Sequence, residues 1–235
     1  MADPGRPRLH PGTLALPGLT SHPEVAAAGA YAGWMDGTVI RVARLADVPQ
    51  IAVVHVRSWQ GAYRGLLPQA YLDGLHPAQR VEQWGRLLAA MNDGRSGVLV
   101  ADEGGDLLGF VAYSASRDGD ADPGRVGEID AIYLRPSAWG QGIGRRLMGA
   151  GLARLAAAKF EQATLWVLDS NVRARRFYEA GGWVADGSGK VDESHGFPIA
   201  EVRYQRALPL SATPSVLSCL CCAASACGVT FGDVR

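Results

Sequence analysis

Arg135-Pro136-Ser137-Ala138-Trp139-Gly140-Gln141-Gly142-Ile143-Gly144-Arg145-Arg146 decides how the rest of this chain is read. The residues before it, Val126 to Leu134, have the β-branched and aromatic character of a strand, which Pro136 closes. The residues after it, Gly142 to Lys159, place Ile143, Leu147, Leu152 and Leu155 on one side of a long helix. A glycine-punctuated turn between strand and helix lets backbone N–H groups converge on one point. The helix behind it adds four unpaired amides and the positive end of its dipole. A pyrophosphate fits such a place without bulk positive charge, and Arg145 and Arg146 can add charge-assisted hydrogen bonds. The turn lacks the Gly-Lys-Ser/Thr ending of a P-loop. It also follows the fourth expected strand rather than the first, unlike a dinucleotide-binding unit. Taken alone, the same glycines serve equally well as a bare sharp turn.

Working outward, residues 38–44 alternate like a half-buried strand, and Asp47 opens a helix to about Ala62. Gly65 and Pro68 break it. A second helix is expected from about Pro77 to Met91, with Val81, Trp84, Leu87 and Leu88 on one side. Strands follow at 96–102 and 107–114 around the turn Glu103-Gly104-Gly105-Asp106. After the long helix come a strand at 163–168, a short helix at 171–180 ended by Gly181-Gly182, and a final hairpin whose last strand runs from Ile199 to Leu208. Hairpins first and a helical crossover later require a mixed sheet. The expectation is a single α/β (α+β) domain over residues 38–208, with a central sheet of six to seven strands flanked by helices.

The whole chain of 235 residues carries 48% hydrophobic and 20% charged residues, which excludes a wholly disordered chain and a multi-span membrane protein. Lys+Arg 23 balances Asp+Glu 23, so attraction to nucleic acid or anionic lipid through bulk charge is not expected. Residues 1–37 are broken by Pro4, Pro7, Pro11, Pro17 and Pro23 and read as a disordered or mis-assigned extension, with Met35 a candidate true start. Residues 209–235 hold all four cysteines, Cys219, Cys221, Cys222 and Cys227. A poorly ordered appendage, a membrane anchor and a zinc site compete for this tail. The prolines and serines argue against the anchor, and the adjacent cysteines without a nearby histidine argue against zinc. The body has no cysteine, which suits a cytoplasmic protein. No metal site is expected.

A second segment gives the glycine turn its meaning. Strand 163–168 leads into Asp169-Ser170-Asn171-Val172-Arg173-Ala174-Arg175-Arg176-Phe177-Tyr178-Glu179-Ala180-Gly181-Gly182-Trp183. The two segments together resemble the GNAT superfamily of N-acetyltransferases. The first is similar to the pyrophosphate motif Gln/Arg-x-x-Gly-x-Gly/Ala. The second is similar to Asn-x-x-Ala-x-x-Phe-Tyr-Glu-x-x-Gly-Phe/Trp. The likeness spans about residues 38–208. Aligning Gly142 and Gly144 with the family glycines puts Trp139 where Gln or Arg usually stands.

The resemblance implies acetyl-CoA as cosubstrate and direct attack by a small-molecule or peptide amine in a ternary complex. It places the diphosphate on Trp139, Gly140, Gln141, Gly142, Ile143, Gly144, Arg145 and Arg146. It places the pantetheine amides on the backbone near Ile132 and Leu134 and on Asn171. Tyr178 becomes the donor to the CoA sulfur, and Glu128 the general base. Asp130, two residues on and on the same face, rivals Glu128. Either carboxylate needs burial or a water relay to deprotonate an amine. Residues 55–68, with Trp59 and Tyr63 one turn apart, are similar to a Trp-x-x-Ala-Tyr-x-Gly-Leu-Leu-Pro stretch of some bacterial members. That implies an amine pocket walled by Trp59 and Tyr63. A core stripe is the plainer reading of the same pair. A non-catalytic acyl-CoA-binding module and a homodimer also fit the resemblance. A nucleotide- or phosphate-binding protein of another fold remains a third reading.

Overall fold

The computed structural model describes residues 37–91 and 93–209. The proposed start at Met35, the bulk of the leading extension and the cysteine tail lie outside these residues.

Seven strands form one mixed sheet in the order β1-β2-β3-β4-β5-β7-β6. They are β1 (Thr38–Val42), β2 (Gly97–Glu103), β3 (Asp106–Ala115), β4 (Val126–Leu134), β5 (Gln162–Leu168), β6 (Val184–Asp192) and β7 (Ile199–Ala207). β4 and β5 run parallel and every other neighbouring pair is antiparallel. The helices are α1 (Val48–Ala62), α2 (Gln69–Asp73), α3 (Ala78–Ala90), α4 (Ile143–Ala157) and α5 (Val172–Ala180). No helix among the described residues is long and apolar enough to cross a membrane.

Both faces of the central strands are buried, so these strands read as apolar runs rather than alternating ones. On one face Ile143, Leu147, Leu152 and Leu155 of α4 pack on Leu99, Val111 and Ile129. On the other, Ile51 and Val54 of α1 and Trp84 and Leu87 of α3 pack on Val98, Val100 and Phe110. One detail differs from the sequence expectation. Val81 is 36% exposed, and Arg80 takes the buried place on α3 at 9%. Arg80 lies beside Tyr71 and donates to Gln83, and a long side chain of this kind can bury its stem while its head finds polar partners. The short α2 was not foreseen. It is five residues long, set off by Pro68 and Gly74, below the length at which periodicity is legible.

Arg203 of β7 ties the sheet to the β3–β4 loop. Its guanidinium donates to Asp118 (3.1 Å), Asp120 (2.7 Å) and Asp186 (2.6 Å). Asp118 also accepts from the Trp166 indole at 3.1 Å. Removing the cation leaves the largely buried Asp118 and Asp186 carboxylates without it. Arg203→Ala is therefore expected to cost about 3 kcal/mol. A thermal scan should show Tm lower by roughly 10 °C; an unchanged Tm would mean water replaces the guanidinium.

Candidate active site

β4 is the axis of the site. It pairs with β5 only at Val126, Gly127 and Glu128, opposite Gln162, Ala163 and Thr164. Beyond Glu128 the two strands separate. The Arg135 N–H donates to the Leu108 carbonyl at 2.8 Å. By alternation the amides of Ile132 and Leu134 then point the other way, toward the gap beside β5. A β-bulge lies where Ala112 pairs with Ala131 and Tyr113 with Ile129. Asp130 is the extra residue. The bulge turns Glu128, Asp130 and Ala131 toward one side, which plain alternation alone would not do.

The turn after β4 has the geometry its glycines suggest. Gly140 and Gly142 both adopt φ +80°, a left-handed conformation in which a side chain is strained. Gly142 is the N-cap of α4. The first amides of that helix, at Ile143, Gly144 and Arg145, have no partner a turn back within the helix. The turn packs directly on α1: a Cβ on Gly61 would fall 2.8 Å from Pro136 and 3.0 Å from Trp139. Trp139 donates its indole N–H to the Leu134 carbonyl at 3.2 Å. Its ring carries the Arg173 guanidinium 3.9 Å from the centroid. The position occupied by Gln or Arg in the resembling motif thus holds an aromatic that presents an arginine from α5.

A cavity of about 350 Å³ runs along the gap, a size typical of small-molecule sites. Its wall includes Glu128, Ile132, Leu134, Trp139, Gly140, Gly142, Gly144, Arg145, Asn171, Tyr178, Trp59 and Tyr63. Gln141, Ile143 and Arg146 are not part of it. Gln141 donates to the Ser137 carbonyl at 2.8 Å, and the Ile143 side chain is core. Arg146 donates to the Thr38 carbonyl at 2.6 Å, and its N–H goes to the Gly142 carbonyl. Consecutive helical residues do not face the same way, so only Arg145 turns to the cavity.

Asn171 caps α5, its side-chain oxygen accepting from the Ala174 N–H at 3.1 Å, while the residue also lines the cavity. Tyr178 is 9% exposed, and burial, helped by the nearby Tyr133, raises its phenol above the ordinary tyrosine range. Trp59 and Tyr63 meet edge to face at 4.9 Å. Trp59 also belongs to a small core with Leu72, Leu75 and Leu168, so the pair both packs in the core and lines the cavity.

Glu128 and Asp130 have different surroundings. The Glu128 side chain is 10% exposed and the Asp130 side chain 1%. Asp130 accepts from Arg117 at 2.5 Å and from Ser114 at 3.1 Å. The Arg117 guanidinium is farther from Glu128, at 3.8 Å, and the Arg117 N–H lies 3.4 Å from it. Burial first, then the charge of Asp130, push the Glu128 carboxyl up to about 7 against the pull of Arg117. Both residues line the cavity, and the Glu128 side chain is the more exposed of the two.

Several wall residues carry no local signal in the sequence. His195 sits in the β6–β7 loop, yet its ring stacks on Trp59 at 5.7 Å, and its Nδ1 is 3.4 Å from Asp192. Burial lowers its pKa. Tyr133, pushed up to about 12 by burial, stacks on His55 at 4.9 Å. The Trp84 indole donates to His55 Nδ1 at 3.1 Å, and burial pushes the His55 pKa down to about 3, so this imidazole is neutral with its proton on Nε2. Arg117, Asp130, Trp166, Arg173, Lys190, Asp192 and Glu201 also line the wall. No group of three or more potential metal ligands occurs among the described residues.

Known proteins with this arrangement are numerous. The chain is 34% identical over 133 residues to the uncharacterised N-acetyltransferase YuaI of Bacillus subtilis, covering 56% of this chain and 72% of that protein. It is 30% identical over 149 residues to a probable N-acetyltransferase of Mycobacterium tuberculosis, covering 63% of this chain and 80% of that one. Among solved structures, a PaiA N-acetyltransferase from Thermoplasma acidophilum in complex with coenzyme A superposes with a TM-score of 0.60 at 17% identity, over 72% of this chain and 98% of that one. A phosphinothricin acetyltransferase from Sinorhizobium meliloti in complex with acetyl-CoA gives 0.56 at 23%, over 73% and 89%. Residues 53–183 match the description of the acetyltransferase (GNAT) family, and with the mixed sheet, the parted strands and the glycine turn this places the chain in that family.

Proposed function

We propose that this chain is an N-acetyltransferase that moves the acetyl group of acetyl-CoA to a primary amine, small-molecule or peptide, by direct attack in a ternary complex. One observation carries the reading. A single cavity joins the glycine turn at one end to Glu128, Tyr178 and the Trp59 wall at the other.

The residues present fit acetyl-CoA. The left-handed Gly140 and Gly142 and the amino end of α4 suit its diphosphate, with Arg145 and Arg173 beside them. The outward amides of Ile132 and Leu134, and Asn171, suit the pantetheine arm. When bound, acetyl-CoA supplies an activated acyl group as a thioester. The rest falls to the protein. Glu128, held near neutrality by burial, takes the proton of the attacking ammonium directly or through water. Asp130 lines the same cavity but is the more buried of the two and is already bonded to Arg117 and Ser114, so Glu128 is assigned the role of base. A backbone amide of the Ile132–Leu134 segment can face the developing negative charge on the carbonyl oxygen. Tyr178, kept protonated, gives a proton or a hydrogen bond to the departing sulfur.

Free-thiol release from acetyl-CoA across a panel of amines tests the proposal. Tyr178→Phe should lower kcat on the order of 10²-fold with little change in the acetyl-CoA KM. Equal kcat in the two proteins would remove Tyr178 as the acid. Coenzyme A binding with no thiol release for any amine would leave an acyl-CoA-binding module instead.

A further inference from the structure

The acceptor half of the cavity narrows the amine to one chemical class, an inference that rests on the transferase reading above. Its floor is aromatic. His195 lies nearly parallel to Trp59, at 5.7 Å and 25°, and Tyr63 and Tyr133 meet Trp59 edge-on at 4.9 and 6.5 Å. Flat apolar faces of this kind hold a ring, and hold a cation near it.

Carboxylates and cations share the same wall. Glu128, Asp130, Asp192 and Glu201 line it. The cations beside them are committed to carboxylates. Arg117 is bonded to Asp130 at 2.5 Å. Lys190 is 3.3 Å from Glu201, with its ammonium 3.9 Å over the Trp166 ring. Arg145 and Arg173 stand at the glycine turn. Arg80 is buried beside Tyr71, outside the cavity wall. A carboxylate brought in next to the amine would face like charge. To gain a partner it would have to take Arg117 from the buried Asp130 or Lys190 from Glu201, leaving an uncompensated carboxylate behind.

We propose that the acceptor is an arylalkylamine: a primary ammonium on a short chain bearing a flat apolar ring, with no carboxylate, phosphonate or phosphate next to the nitrogen.

Matched ligands test this by calorimetric titration of the full chain saturated with coenzyme A. Tryptamine is compared with tryptophan and tryptophanamide, phenethylamine with phenylalanine, and putrescine serves as a ringless amine. Tryptamine and phenethylamine should bind on the order of tenfold or more tighter than their amino acids. Tryptophanamide, whose carboxylate is masked, should recover most of that difference, and putrescine should bind more weakly than either arylalkylamine. Amino acids that bind as tightly as their decarboxylated partners overturn the proposal. So does putrescine matching tryptamine, or no binding by any arylalkylamine. Thiol release is read separately on the same ligands. Binding in the expected order without thiol release from acetyl-CoA removes the transferase reading and leaves the acceptor class standing. Thiol release with carboxylated or ringless amines alone does the reverse.

Discussion

Gly142→Asp should bind acetyl-CoA on the order of 100-fold more weakly than the native chain in a calorimetric titration. The backbone at this position has φ +80°, which costs a side chain about 1–2 kcal/mol. Crowding adds nothing, since a Cβ here meets nothing within 4 Å. The decisive effect is charge, because the new carboxylate would stand at the amino end of α4, where the diphosphate is proposed to lie. Aspartate is a favoured N-cap and tolerates the left-handed region better than most residues, so the helix should still form. Gly142→Ala separates the two effects: it bears only the backbone strain, with a loss of roughly tenfold. Affinity retained within a factor of about two in Gly142→Asp would move the diphosphate to another place.

Glu128→Gln should lower kcat/KM on the order of 10²- to 10⁴-fold and abolish the acid limb of the pH profile. In the native chain that limb should be centred near 7, where burial and Asp130 hold the Glu128 carboxyl. The base works only when ionised, so the rate falls as pH drops through this value. The same shift acts on stability with the opposite sign. A carboxyl whose folded pKa is raised from 4.5 to about 7 binds more protons folded than unfolded across that interval. Its contribution is fully present below the unfolded value and is lost as pH rises through the folded one. Above pH ~8 the uncharged glutamine is therefore expected to resist denaturant better than the native residue, by a few kcal/mol. A variant at once less active and more stable is the signature of a group strained for its task. A retained acid limb in Glu128→Gln would pass the role to another group.

Much of the fold is legible because its signals are local. The apolar stripe of α4, the turn at Gly104 and Gly105 and the glycines after β4 lie within a few residues of the elements they define. The failures are of two kinds. α2 is too short for a period to show, and on α3 it is Arg80 rather than Val81 that is buried. The site divides the same way. Tyr178, Asn171 and the glycine turn sit in contiguous motifs. His195, Arg117, Glu201 and Lys190 do not, since each reaches the cavity from a loop or a late strand through tertiary contact alone. Trp139 shows the limit most clearly. A departure from the resembling motif is visible in the sequence. That its ring holds up Arg173 from another helix is not.

The parting of β4 from β5 has a mechanical consequence. Strands β1 to β4 form one leaf and β5, β7 and β6 another, stitched by a ladder three residues long that ends at Glu128. Glu128 belongs to the first leaf, and Tyr178 rides on the helix that follows β5 in the second. The spacing between the two groups is therefore not locked by a continuous weave. It depends on that short ladder, on the core that α4 shares with both leaves and on the Arg203 clasp across the loops.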